Sequence, residues 1–322
     1  MADDSPAPFA HPQLRVLHLR ILGRVQSPVF WNSFPGSVLH GAIGFHLKRL
    51  SCVISHGRCK ECRLHRDCTY GLLYEARPPQ DTQRMRKYDR TPSPLRISVF
   101  PWQESKLEAG RDLEIHLVLV ASAVELVSPL LIAVEESLSE GIGRKILGGQ
   151  RGRVEVTWIR DGESLAQIPW NDFNPARRLP FMAPAWKDLT YPGSDQVRIQ
   201  FRTPVRIVAR GRICTKPTFR DLMSALMRRI SSLAYFAAGV EIEADFKGIL
   251  ERADALNANG EFHRIPVHRY SSRQKSEMAL DGMLGFLDLP VQGREFIPWL
   301  AVGQRIGVGK NTGMGFGYYT LE

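Results

Sequence analysis

Gly303-Gln304-Arg305-Ile306-Gly307-Val308-Gly309-Lys310-Asn311-Thr312-Gly313-Met314-Gly315-Phe316-Gly317-Tyr318-Tyr319 sets six glycines and a lone lysine ahead of paired aromatics. Without Cβ atoms such a chain turns through positive φ and can bring its backbone N–H groups against an anion. A dinucleotide fingerprint opens a helix, whereas only three residues follow Tyr319. A Walker A loop needs Ser or Thr after its lysine, and Lys310 is followed by Asn311. Two readings remain: a glycine-rich hairpin closing a sheet, and a loop laid against a phosphate backbone.

Upstream, the chain divides into two similar units. Val197 to Val208 alternates as a strand, and Thr218 to Ala238 is helical, with Leu222, Ala225, Leu226, Ile230 and Leu233 at core spacing. Further strands are expected at Arg264 to Tyr270 and at the end. In the first half, Leu14 to Val25 alternates, and Ser33 or Ser37 can cap a helix running to about Leu50. Strands at Leu113 to Val120 and Arg153 to Ile159 flank a helix from Pro129 to Glu140. The expected class is α+β, two ferredoxin-like (βαββαβ, RRM-like) domains in tandem, with a Cys-rich metal-binding insertion in the first. The boundaries are a disordered tail at 1–12, a domain at 13–165 with its insertion at 51–75 and a basic loop at 76–96, a proline-rich linker at 166–192, and a domain at 193–322 carrying the glycine-rich loop 303–317.

Lys and Arg outnumber Asp and Glu by 43 to 33, and a net charge of +10 favours a polyanionic partner. No apolar run approaches the roughly 18 residues of a membrane span, and the Asp-Asp-Ser-Pro start lacks the basic and apolar regions of a secretory signal. Five cysteines, four of them between Cys52 and Cys68, point to a reducing, cytoplasmic setting and a metal site in place of a disulfide framework.

Leu39-His40-Gly41-Ala42-Ile43-Gly44, the cysteine cluster ending Cys68-Thr69-Tyr70, Gly141-Ile142-Gly143-Arg144 with Arg151-Gly152, Thr203-Pro204-Val205-Arg206 and Arg269-Tyr270-Ser271-Ser272-Arg273-Gln274 occur in that order before the terminal glycines. Together they resemble the CRISPR-associated endoribonucleases of the RAMP superfamily, which cut precursor repeat RNA into guide RNAs. The resemblance covers nearly the whole chain. It implies two ferredoxin-like domains, a glycine-rich loop that contacts RNA, and metal-independent cleavage. In that chemistry the ribose 2′-OH attacks the adjacent phosphorus, leaving a 2′,3′-cyclic phosphate and a 5′-OH, and the mature guide RNA stays bound. The implied partners are repeat RNA, crRNA and other CRISPR effector subunits, in antiviral defence. The alternative is a catalytically inactive RAMP subunit that binds crRNA in an effector complex.

The reaction needs a group to take a proton from the 2′-OH, one to protonate the leaving oxygen, and donors for the phosphorane. Among nine histidines, His46 falls on the apolar face of the first helix with Leu39, Ala42, Ile43 and Leu50, and reads as a core histidine, with the role of catalytic base as its alternative. His40 lies about 100° from Leu39 on the wheel, beside Gly41 and Gly44, and is the candidate acid or base. Members of the resembled family carry a catalytic histidine near the start of the first helix. Lys48 is a candidate for charge stabilisation, and Tyr70 and Tyr88 are further candidates. RNA contacts are expected from Arg202, Arg206, Arg228, Arg229, Arg269, Arg273 and Arg305, and from Gly307, Gly309, Lys310, Gly313, Gly315 and Gly317. Cys52, Cys59, Cys62 and Cys68 have spacing suited to a structural zinc site, with an iron–sulfur cluster or free thiols as alternatives and His56 or His65 as substitute ligands.

Overall fold

The computed structural model describes residues 9–322 except 32, 55–58, 60, 80, 84, 87–89, 147, 192, 194–195, 210 and 272–275. The first half runs β1 (Val16–Val25), α1 (Pro35–Ser51), α2 (Thr69–Tyr74), β2 (Leu95–Phe100), β3 (Asp112–Val120), α3 (Val127–Glu140), β4 (Val154–Asp161) and a short β5 (Gln167–Pro169). Its antiparallel sheet has the order β2-β3-β1-β4-β5, so the first four strands with α1 and α3 make a ferredoxin-like βαββαβ unit. The second half repeats the plan with β6 (Val197–Phe201), α4 (Phe219–Leu233), α5 (Phe246–Ala255), β7 (Asn259–Ile265), a hairpin β8 (His268–Ser271) and β9 (Ser276–Ala279), β10 (Gly282–Leu289), α6 (Ile297–Ile306) and β11 (Tyr319–Leu321). Its sheet order is β7-β10-β6-β11, all antiparallel.

Alternation along β1 decides which face meets which core. Leu17, Leu19 and Ile21 pack under α1 and α3 with Leu39, Ile43, Leu130 and Val134. Val16, on the opposite face, joins Val118 and Val120 in a core shared with Leu222, Leu226, Leu300 and Val302 of the second half. The two halves are therefore fused through one apolar seam. Phe9 inserts into it, edge-on to Trp186 and Trp299, so the tail expected at 1–12 is anchored at that point. The proline-rich stretch expected as a linker is laid over both cores: Trp170 and Phe181 touch the first, and Trp186 is buried in the second.

Three elements differ from expectation. The basic loop gives way to strand β2, whose Arg96 is buried. The helix expected to reach Ala238 ends at Leu233 and continues as a π turn over Ala234–Ala238. The glycine-rich window begins inside a helix, because Gly303 to Ile306 are the last turn of α6, which stops at Gly307 with φ 76°. Helix α4 starts on a capping box, with Thr218 accepting from the Asp221 N–H and the Asp221 carboxylate accepting from the Thr218 N–H.

A polar network lies beside the seam. His18 Nε2 and His116 Nδ1 are 3.1 Å apart, His116 Nε2 lies 2.7 Å from Glu114, and Glu163 binds both His18 and Arg305 of α6. Burial pushes His18 down to about 4 and lowers His116 as well, the nearby carboxylates only partly opposing it. Both rings are neutral in the fold at pH 7, whereas an unfolded chain would protonate them near 6.5. The native state thus binds fewer protons between these values, and stability is lost as pH falls through that window. Urea midpoints are expected to drop measurably from about pH 7 to about pH 5, and the double variant His18→Gln/His116→Gln to flatten that slope.

Candidate RNA-binding and catalytic cleft

Between the halves lies a cleft of about 1820 Å³, well beyond the roughly 300–1,000 Å³ of small-molecule pockets. Eight Lys and Arg residues line it against two Glu, Glu75 and Glu140. One wall is α1, which begins at Pro35 with no acid in its first turn, leaving the positive end of its dipole without a carboxylate there. The facing wall is Gly309 to Met314, and Arg206, Arg228 and Arg269 complete the rim.

His40, Gly44 and Lys48 recur every four residues on one face of α1. Tyr74 of α2 fills the space that a side chain at Gly44 would need: a Cβ there would come within 2.6 Å of its ring. The His40 and Tyr74 rings are 4.5 Å apart, Tyr70 stacks on Tyr74 at 5.3 Å, and Lys48 Nζ sits 5.7 Å from the Tyr70 ring centre. Tyr74 was invisible as a site residue in the sequence; its only signal is the four-residue spacing from Tyr70. Its phenol stays protonated, because burial and then Tyr70 push it well above its usual value.

Burial, with Arg269 nearby, pushes His40 down to about 4. The imidazole is therefore neutral at pH 7 and able to accept a proton. Gly313 stands opposite, where a Cβ would lie 3.6 Å from His40 Nε2, and the Arg269 guanidinium reaches Met314 Sδ at 3.3 Å. His40, Arg269 and the loop tip converge. His46 also borders the cleft, but it is 5% exposed and its ring faces Glu136 and Glu140 of α3, which also hold Arg49.

The residues expected to bind RNA fall into two groups. Arg206, Arg228, Arg269, Gly309, Lys310 and Gly313 line the cleft. Arg202 is taken up by Thr320 and Glu322, Arg305 by Glu163, and Arg229, buried on the cleft border, donates to Ile306 O at 3.1 Å and Ser93 O at 3.5 Å. Gly307, Gly315 and Gly317 all have positive φ, and Gly315 and Gly317 pack so closely on Ile97 O and Val308 O that a Cβ would lie 2.5 and 1.9 Å away. The N–H groups of Val308, Lys310, Gly315 and Gly317 go to backbone carbonyls, so these glycines shape the loop while its tip faces the cleft. Arg273, Tyr88 and His56 lie outside the described residues.

Cys52, Cys59, Cys62 and Cys68 are unpaired thiols lining one small cavity with His65. Among the described residues no three His, Cys, Asp or Glu side chains are already gathered as a metal-ligand group. No helix among them is long and apolar enough to cross a membrane.

Residues 14–174 match the family model AF_1859_N, an N-terminal domain, and residues 199–319 match that of the CRISPR-associated endoribonuclease Cas6. Among solved structures, a Cas6 product complex aligns with a TM-score of 0.58 at 16% identity, over 96% of this chain and 99% of that one. Thermus thermophilus Cas6 gives a TM-score of 0.53 at 16% identity, covering 95% and 99%. A Cas6-RT-Cas1–Cas2 complex gives 0.55 at 11% identity, over 96% of this chain and 29% of that one. At these identities the likeness is one of fold. No curated protein sequence matches the chain.

Adjacent arginines on α4 separate the two groups. Arg229→Ala is expected to cost about 2–3 kcal/mol in denaturant unfolding, because it leaves the Ile306 carbonyl unsatisfied. Arg228→Ala is expected to leave stability within about 0.5 kcal/mol and to reduce the salt slope of RNA binding by about one.

Proposed function

The chain belongs to the CRISPR-associated RAMP-type family of repeat-RNA processing proteins, and from that premise we propose that it is an endoribonuclease that cuts CRISPR repeat RNA in the cleft between its two halves. The observation that supports this best is the meeting of a neutral histidine with a cationic rim. His40 stands within a basic groove sized for a polynucleotide, with Arg269 beside it and Lys310 across from it.

In this reading the phosphate backbone of the repeat runs between the start of α1 and the loop tip. Lys310 and Arg228, both exposed, attract it, and Arg206 flanks the path. His40 in its neutral form takes the proton from the 2′-OH. The oxygen attacks the adjacent phosphorus, and Arg269 stabilises the charge that develops there. The bond to the 5′ oxygen breaks as that oxygen takes a proton from solvent water, giving a 2′,3′-cyclic phosphate and a 5′-OH, and the proton held by the His40 imidazolium returns to solvent. This route calls on no catalytic metal. Lys48 and Tyr70 stand behind this centre and hold the α1–α2 face, and the product crRNA stays on the arginine rim. The fold-related Cas6-RT-Cas1–Cas2 complex supports placing such a protein among other CRISPR subunits.

Single-turnover cleavage of a cognate repeat in excess chelator tests this. The wild type is expected to cut, to leave a cyclic phosphate, and to fail on a substrate that is 2′-deoxy at the scissile nucleotide. His40→Ala is expected to lower the rate at saturating protein by about 10²-fold or more while retaining RNA affinity. Because His40 is held at about 4, the acid limb of kcat/KM should fall near that value and not near 6.5. Tight binding without cutting by the wild type would instead identify a crRNA-holding subunit, and a His40→Ala rate within a few-fold of wild type would remove His40 from the chemistry.

A further inference from the structure

The cysteine segment joins the two helices of the proposed centre at their connecting ends. Cys52 is the C-terminal cap of α1, its N–H bonded to Lys48 O, and Cys68 is the N-terminal cap of α2, its carbonyl accepting from Leu72. Between them, Cys59 and Cys62 supply a CxxC knuckle. All four face one cavity of about 20 Å³ together with His65. His65 is engaged elsewhere through Nε2, 2.8 Å from the Glu75 carbonyl at the far end of α2. Gly71 presses on the same loop, since a Cβ there would meet His65 O at 2.3 Å.

We infer that Cys52, Cys59, Cys62 and Cys68 bind one structural Zn²⁺, which staples the end of α1 to the start of α2 and thereby holds Tyr70 and Tyr74 against His40. Four thiolates suit the closed tetrahedral coordination of zinc. The thiols flank the cavity without yet forming a ligand group, and metal binding would bring them to ligand distance, its free energy tying Cys52 at the end of α1 to Cys68 at the start of α2. Among the described residues of this stretch, the apolar Val53, Ile54 and Leu64 are 82%, 41% and 44% exposed. The consequence for cleavage rests on the proposed role of His40; the metal itself does not.

The test uses the full chain, expressed with zinc and purified without chelator or histidine tag. Elemental analysis should find about one zinc per chain, lost in Cys62→Ser and Cys68→Ser and retained in Cys214→Ser. Should the serine variants fail to fold, the wild type itself is stripped with a strong chelator. Its melting temperature should drop by several degrees and recover with Zn²⁺ but not Mg²⁺, and the Co²⁺-loaded protein should show thiolate-to-cobalt absorption. The stripped protein should cut more slowly at saturating protein while still binding RNA. Less than about a tenth of an equivalent of metal, with four freely reactive thiols and no thermal response to Zn²⁺, would overturn the site. Stoichiometric iron with visible absorbance would overturn the choice of ion.

Discussion

The last carbonyls of α6 govern the geometry of this molecule. A helix end leaves carbonyls without intrahelical donors, and here two buried arginines supply them. Arg96 of β2 donates to Arg305 O at 2.9 Å, and Arg229 of α4 donates to Ile306 O. One arginine comes from each half, so the end of α6 is where the two ferredoxin-like units are pinned. Both cations also lie at the negative end of the helix dipole, which helps to offset their burial. Burial lowers both, to about 10 and about 9, and both remain charged at neutral pH. From this anchor the chain leaves through Gly307 and runs along β2, an edge strand, with Gly315 tight against Ile97 O. The exposed edge is thereby covered, and the tip of the same loop is delivered to the mouth of the cleft.

The cleft inherits its chemistry from that placement. Gly313 arrives opposite His40 because β2 and α1 belong to one βαβ unit and pack together, and whatever fixes the loop on β2 fixes it relative to α1. Gly36 contributes directly, since a Cβ there would come within 2.2 Å of Met314 O. Glycines are needed in this region mainly so that two backbones can approach. The part of the loop that faces the cleft is narrower than the glycine count implies: it is Gly309 to Met314, across from α1, with Arg206, Arg228 and Arg269 also lining the cleft.

Much of the fold was legible because strands with one buried face alternate and core helices repeat at helical spacing, as in Leu14 to Val25 and Thr218 to Leu233. Strand β2 was hidden by its own chemistry, with Pro94 and Pro101 at its flanks and a buried Arg96 that reads as surface. Helix α6 was hidden by Pro298 and Gly303, the second being small because Tyr319 and Leu226 press on it. At the site, wheel position ranked the two histidines of α1 without deciding between them, and the structure pairs His46 with Glu136 while His40 lies beside Tyr74 and Gly313. The arginines were not. Arg228 and Arg229 are neighbours in sequence, and only the position of α6 decides that one is committed to a carbonyl and the other faces solvent. Tyr74 was missed because its importance depends on α2 folding back along α1.

The central claim is that His40 and the loop tip face each other across the scissile phosphate. A structure of the chain with a repeat RNA carrying a 2′-deoxy nucleotide at the cut measures this directly. The account predicts that phosphate between Lys310 and α1, with the 2′ position within about 3 Å of His40 Nε2 or one water away. RNA seated on another surface, with His40 beyond reach of any sugar, would contradict it.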